Sequence, residues 1–324
     1  MCHPPHHSNM YRTKETRQRT LALIGAGRVA RGLGSRLHEA GWEIGVVAAR
    51  RLPSARAAVR AIHAGTAAAG LNRSVLAAGV ILIAVPDDAV ASVAAELERI
   101  GAEELRGKIV AHTSGALAAS VLDPLAAHGA RTGVMHPMQT FGARDRPQLS
   151  GVLFGIQGHP EALRVIRQMV RSLGGQSARI DPGRKAQYHC AGTFAASHLL
   201  ASFEAGVQLL CDAGMKRRAA AGALLQLARQ VLQNYELLGA HSAWTGPLSR
   251  GDFATIGLHR RALENHPVEV RLAYDAMTRL AARVLSRTPE ELLLRLEAVM
   301  PAAEGPQATS NGRVPAAAVA RPSK

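Results

Sequence analysis

Apolar and polar positions divide the chain into two regimes. Up to residue 181, short apolar runs alternate with stretches of helical period. Runs at 21–24, 44–49, 80–85, 108–111, 131–135, 152–157 and 177–181 have the length of strands. The run VILIAV at 80–85 is apolar throughout, as a parallel strand covered on both faces must be. Helical patterns fill 29–40, 53–63, 89–100, 117–128 and 161–173 between them. In the first of these Val29, Leu33 and Leu37 repeat at i, i+4 and i+8, and Gly41 stops the pattern. Residues 64–79 are poor in large apolar side chains, and no third strand is placed there. This alternation predicts an α/β fold, a doubly wound and mostly parallel sheet.

Beyond Asp181-Pro182-Gly183 no strand pattern continues. Ala- and Leu-rich helical stretches run from 184 to 300, broken at Gly214, between Gly239 and Gly251, and at His266-Pro267. A second, all-α domain is expected. The organisation read from the pattern is an arm at 1–18, a sheet domain at 19–181, a helical domain at 182–299 and a tail at 300–324. Both ends lack apolar periodicity and are expected to be disordered.

The first strand, glycine turn, helix and second strand form one βαβ unit. Gly25, Gly27 and Ala30 fill a G-x-G-x-x-A spacing. Gly25 permits a tight turn, Gly27 lets a pyrophosphate approach the backbone, and Ala30 lets the helix lie close to the strand. Residues Gly25, Ala26, Gly27, Arg28 and Val29 are therefore the expected dinucleotide-phosphate site. An acid at the end of the second strand would bind the ribose hydroxyl of NAD. Here Arg50 and Arg51 follow Ala48 and Ala49, and no acid is present. Two guanidiniums suit a 2′-phosphate, so the expected cofactor is NADP.

Ligands of such sheets bind beyond the carboxyl ends of the strands. Val85, Pro86 and Asp87 end one strand and are expected beside the cofactor; Asp88 is expected to cap the next helix. His112, Thr113 and Ser114 end another strand, and His136 and Gln139 follow a third. Lys185 and His189 open the helical domain at i, i+4 and share a helix face. The loop Thr245–Asp252 hangs Arg250 and Asp252 from a Gly- and Pro-fixed path, and Arg250 could clamp a carboxylate or phosphate. Ser114, His136, Lys185 and His189 are the catalytic candidates, with Lys185 or His189 as proton donor. His112, Gln139 and Arg250 are the substrate-binding candidates.

Composition narrows the classes. With 324 residues and 47% hydrophobic content the chain can build two cores. Cys2, Cys190 and Cys211 are scattered, which suits reduced thiols in a cytoplasm. A metal site at Cys2, His3, His6 and His7 is weaker than a solvated tail, and no metal is expected. The N-terminal residues 1–20 are polar, without a signal-peptide pattern, and no apolar run of membrane length is read. The net charge is +15, carried by 34 arginines and only five lysines. A basic body attracts anions, yet aromatics are only 3%, too few for nucleic-acid stacking platforms.

The motifs GAGRVA (25–30), AVPDDAV (84–90), HTSGA (112–116), HPMQTF (136–141), KAQYH (185–189) and TGPLSRGD (245–252) together resemble bacterial Rossmann-like proteins carrying the C-terminal domain of unknown function 2520. The resemblance spans residues 19–299. It extends to two-domain NADP enzymes such as ketopantoate reductase, pyrroline-5-carboxylate reductase, and hydroxyisobutyrate and 6-phosphogluconate dehydrogenases. In the last two, a Lys and a residue four further on line the active site; Lys185 and His189 take those places, His replacing Asn. Ser197 likewise stands where relatives carry Asn. HPMQTFG also resembles a segment of prephenate dehydrogenases.

The implied activity is an NADP-dependent oxidoreductase that transfers hydride to or from a small, anionic metabolite in an interdomain cleft. Arg250 is expected at the mouth of that cleft. A prephenate-dehydrogenase-like or imine-reductase-like enzyme and a non-catalytic NADP-responsive binding protein are the other readings. The helices at 194–210 and 219–238 carry more apolar surface than one short bundle can bury, so a homodimer through the helical domain is expected. Neither nucleic acid nor membrane is an expected partner.

Overall fold

The structure is a computed structural model and describes residues 19–142 and 146–300. The expected disordered arm, with Cys2 and its neighbouring histidines, and the tail from 301 lie outside the described residues. The chain forms two compact units, Met1–Leu199 and Leu200–Lys324.

The first unit is built on strands β1 (Thr20–Ile24), β2 (Glu43–Ala49), β3 (Thr66–Ala69), β4 (Val80–Ile83), β5 (Ile109–His112), β6 (Arg131–Pro137), β7 (Leu153–Gly158) and β8 (Gln176–Arg179). They form one sheet in the order β3-β2-β1-β4-β5-β6-β7-β8. Every adjacent pair is parallel except β6 with β7. The helices of this unit are α1 (Arg28–Glu39), α2 (Leu52–Ile62), α3 (Asp87–Gly101), α4 (Asp123–Ala127), α5 (Pro160–Ser172) and α6 (Lys185–Thr193).

Strand period decides which face each helix covers. In β1, Leu21 and Leu23 join a core with Leu33 and Leu37 of α1, Ile62 of α2 and Ile166 of α5. The alternate residues Ala22 and Ile24 join a second core with Val90 and Leu97 of α3 and Leu125 of α4. A side chain at every other position faces each side, so one apolar strand feeds both cores. Trp42, in the turn between α1 and β2, donates its indole N–H to the Ser172 hydroxyl at 3.0 Å and fastens α5 to that core.

Three local expectations change. The third strand is β3, sequence TAAA, whose small side chains give no apolar run to read. The helix expected at 117–128 shrinks to a 3-10 turn, Ala119–Leu122, followed by the single turn of α4. Before it, Ser114 Oγ accepts from the N–H groups of Ala116 and Leu117, and Gln157 accepts from the Ala119 N–H. Asp88 does not cap α3; Pro86 holds the cap position, and Asp87 and Asp88 lie in the first turn, where carboxylates favour the positive helix end.

The second unit is helical. After a π-helical turn at Phe194–His198 come α7 (Leu199–Asp212), α8 (Arg217–Ala243), α9 (Phe253–Ala262), α10 (Val268–Leu285) and α11 (Pro289–Val299). A kink at Gly239 interrupts α8. Leu248, Ile256, Ala282, Leu296 and Met300 form a small core. Arg260 grips Asp275 through two hydrogen bonds of 3.0 and 3.2 Å and ties α9 to α10.

The helical stretch Pro182–Asp212 is long and apolar enough by composition to pass as a membrane span, where the sequence reading finds none. Its opening residues make polar bonds to the sheet instead, through Lys185 and Tyr188. Apolar helices at protein interfaces share such composition.

Candidate active site

The carboxyl ends of β1, β2, β4, β5 and β6 lie along one edge of the sheet, as parallel pairing requires. Gly25 turns the chain off β1 with φ 120°, and its N–H bonds the Ala48 carbonyl at 2.8 Å. A Cβ at Gly25 would stand 2.1 Å from the Ala84 carbonyl oxygen, so the turn accepts only glycine. Gly27 then occupies the cap position of α1 without a side-chain cap bond, and the first turn of α1 holds no acid. Nothing lies within 4 Å of where a Gly27 Cβ would be. Uncapped amides beside open space at a helix N-terminus form an anion cradle.

A cleft of about 360 Å³ extends from this turn, lined by Gly25, Ala26, Gly27, Arg50, Arg51, Val85 and Pro86 among others. Arg51 occupies the cap position of α2, and Arg50 and Arg51 are both exposed. Glu96 of α3 also faces the cleft, its carboxylate 3.9 Å from Arg99. Arg28, the first residue of α1, is exposed beside Gly27. These residues fit a phosphate-bearing nucleotide.

A second, smaller pocket of about 210 Å³ shares Val85 with the cleft. Val29, Asp87, Ser114, His136, Gln139 and His189 line it. Four strand or helix ends thus deliver expected residues to one place. Lys185 lies against it: its side chain is only 2% exposed, and its Nζ donates to the Ser114 carbonyl at 3.1 Å. Burial lowers its pKa from 10.5 to about 8, with the Asp87 carboxylate opposing that shift.

His136 is held neutral. Burial, reinforced by the charges of Lys185, His189 and His112, brings its pKa down to about 4. The rings of His136 and His189 meet edge to face at 5.9 Å. Gly115 lies between them: a Cβ there would stand 2.5 Å from His189 Cδ2 and 2.7 Å from His136 Nε2.

Two expected residues serve the scaffold. His112 is fully buried, and both ring nitrogens are occupied. The Ser114 N–H donates to its Nδ1 at 3.2 Å, so the ring hydrogen is on Nε2 and donates to the Ala118 carbonyl at 3.2 Å. Burial again pushes its pKa to about 4. With no nitrogen left for a substrate, His112 shapes the turn that carries Ser114. Ser114 presents its carbonyl to Lys185, while its Oγ accepts the two turn amides. Gln139 lines the pocket, but its side chain also braces its own loop through Thr140 N–H and the Gln148 carbonyl.

Arg250 lies in the second unit, exposed at the end of a 3-10 turn, Leu248–Arg250. Asp252 is the N-cap of α9 and accepts from the Thr255 N–H and hydroxyl, a structural duty.

Sequence reading passed over Tyr188, although it stands within KAQYH. Its position three residues after Lys185 was the available signal, because i and i+3 share a helix face. Its hydroxyl lies 2.9 Å from His136 Nδ1 and 3.4 Å from the His136 carbonyl oxygen. It also passed over Gly155, directly opposite His136 in the β6–β7 pair. A Cβ at Gly155 would stand 2.6 Å from the Tyr188 phenol, so the bare backbone gives that ring its seat.

Comparison with known proteins agrees with this architecture. A Rossmann-like domain profile matches residues 1–137, and the domain of unknown function 2520 matches residues 152–281. No curated protein matches the chain in sequence. Among solved structures, a candidate NADP oxidoreductase from Bacteroides fragilis is 24% identical, with TM-score 0.65 over 81% of this chain and 96% of its own. A reductive aminase from Aspergillus terreus, in complex with NADPH and ethyl-5-oxohexanoate, is 18% identical, with TM-score 0.64 over 82% of this chain and 93% of its own. A pyrroline-5-carboxylate reductase from Coxiella burnetii is 14% identical, with TM-score 0.55 over 82% of this chain and 98% of its own. The chain thus pairs a Rossmann-like domain with a domain of unknown function 2520.

Proposed function

We propose that the protein is an NADP-dependent oxidoreductase acting on a small, anionic metabolite. The observation that carries the reading is the buried Lys185 Nζ beside a pocket that shares Val85 with the glycine-turn cleft. The turn from Gly25 to Val29 and the N-terminus of α1 would hold the pyrophosphate. Arg50 and Arg51 would grip the 2′-phosphate, and Val85, Pro86 and Asp87 would border the nicotinamide. When bound, the cofactor supplies hydride transfer.

The chain's own residues supply the proton chemistry. With its pKa at about 8, Lys185 is mostly ammonium at neutral pH yet gives up a proton readily. In reduction it would donate from Nζ to the oxygen that gains charge, and the Ser114 carbonyl would orient it. His189 is the alternative donor. Neutral His136 adds no charge, which leaves the Lys185 ammonium and the Asp87 carboxylate as the opposed charges beside the pocket. The likeness to a reductive aminase gives a second reading, a C=N substrate.

Titration calorimetry tests the cofactor. NADPH is expected to bind more tightly than NADH by roughly tenfold, about 1.4 kcal/mol. Arg50→Ala combined with Arg51→Ala should abolish that preference. Equal affinities in the unaltered protein would reject the assignment.

The proposal includes a cytoplasmic homodimer formed through the helical unit. Leu200, Leu227, Leu232, Tyr235, Leu237 and Leu238 are all exposed, Leu237 to 71%. Apolar area on that scale calls for a cover. Light scattering at micromolar concentration should give twice the chain mass of 34.2 kDa. A lone 34.2 kDa species would reject the dimer.

A further inference from the structure

The glycine turn and the two arginines account for the phosphate-binding part of the cleft, but the same cleft also holds an acid. Its lining takes in Leu71, just past β3, and Val93 and Glu96 of α3. Val93 and Glu96 are spaced i, i+3 and share a face of that helix. Leu71 and Val93 are half-buried: they pack against the core of Val90 and Leu97 and also line the cleft. Glu96 is the only acid among the described residues that line it. A carboxylate is out of place beside phosphates, whose oxygens are anionic acceptors like its own. Its side chain is 42% exposed, and its ion partner Arg99 stands 3.9 Å away, a loose contact that leaves the carboxylate free to accept hydrogen bonds. The groups of a dinucleotide that could donate to it are the ribose hydroxyls and an amino group on the base. The base is joined to the ribose whose 2′-phosphate Arg50 and Arg51 would hold, so it falls within reach of the same cleft. Leu71 and Val93 are the part of the lining suited to a flat ring.

We propose that Leu71, Val93 and Glu96 form the base subsite of this cleft, and that Glu96 selects a purine carrying an amino group at its 6-position. The proposal rests on the NADP reading and deepens it by naming the group that reads the base. Leu71 and Val93 take the ring, and the Glu96 carboxylate accepts from the amine of adenine. Hypoxanthine carries a carbonyl oxygen in that position and would set one acceptor against another. The acid in an otherwise anion-binding cleft thus has a use: it favours the one edge of the nucleotide that brings hydrogens.

Titration calorimetry of the full chain tests this with NADPH and its deamino analogue, in which hypoxanthine replaces adenine. The two ligands share every phosphate and ribose group, so their difference reports the base alone. The analogue is expected to bind more weakly by roughly tenfold or more. Glu96→Gln should bring the two within about threefold of each other, because an amide can turn to accept from the amine or donate to the carbonyl. If that variant does not fold, Glu96→Ala takes its place and should close the gap by weakening NADPH. Equal affinities in the unaltered protein overturn the proposal, as they would if Glu96 held a ribose hydroxyl instead. A preference that survives the loss of the carboxylate also overturns it. Tight binding of NADPH without base preference sinks this proposal alone and leaves the cofactor reading standing; no binding of either dinucleotide sinks both.

Discussion

Lys185→Met is expected to lower turnover by ~10²-fold or more while NADPH affinity stays nearly unchanged. Met keeps the length and apolar character of the buried stem but has no proton to give. Arg50, Arg51 and the glycine turn, which would bind the nucleotide, do not contact Lys185. The pH profile adds a sign. The donating form is the ammonium, present below the Lys185 pKa of about 8. Reduction should therefore decline as pH rises through about 8, and oxidation, which needs the free amine, should rise over the same interval. Lys185→Met should lose that limb in both directions. Steady-state kinetics against pH with a panel of carbonyl acids provides the measurement. Undiminished turnover, or an alkaline limb that survives the substitution, would remove Lys185 from the chemistry.

Gly25→Ala should be as damaging by a different route. The new Cβ would press on the Ala84 carbonyl oxygen, a backbone atom of the sheet edge with little freedom to move. The φ of 120° adds strain that any side chain would feel. Together these should cost about 3 kcal/mol or more of stability. Denaturant unfolding would show the loss, and calorimetry should show NADPH binding abolished in any folded fraction. Gly27→Ala makes the informative contrast, since its Cβ would meet no protein atom. It should fold normally yet weaken NADPH, because only a bound pyrophosphate would meet the added methyl.

The parts of the fold legible in the sequence were those carried by bulky side chains. VILIAV is long, apolar and bounded by Pro86, and the repeat of Val29, Leu33 and Leu37 has only one reading. β3 was hidden because TAAA offers no bulk and pairs only with β2. The site divides in the same manner. Residues at strand ends could be found, since the ends of parallel strands share an edge. The turn at 119–122 could not, because its Ala119 amide is held by Gln157, a side chain 38 residues away. His112 looked available for the same reason: its neighbours at Ser114 and Ala118 bind it only once the turn has formed. Gly155 is the extreme case. Its role is an absent atom beneath Tyr188, and that absence acquires meaning only when β7 lies against β6.

Trp42, locked by its bond to Ser172 in the sheet unit, and Trp244, half-buried in the helical unit, are the chain's two indoles. Each unit therefore carries its own intrinsic fluorophore. The Trp42 indole is 3% exposed and packed among aliphatic side chains, so its emission should be blue-shifted relative to that of the wetter Trp244. Replacing either one with Phe leaves a single emission from a single unit. The unfolding of the sheet and of the helical unit can thus be followed one at a time in the intact chain, without a label or any knowledge of the substrate.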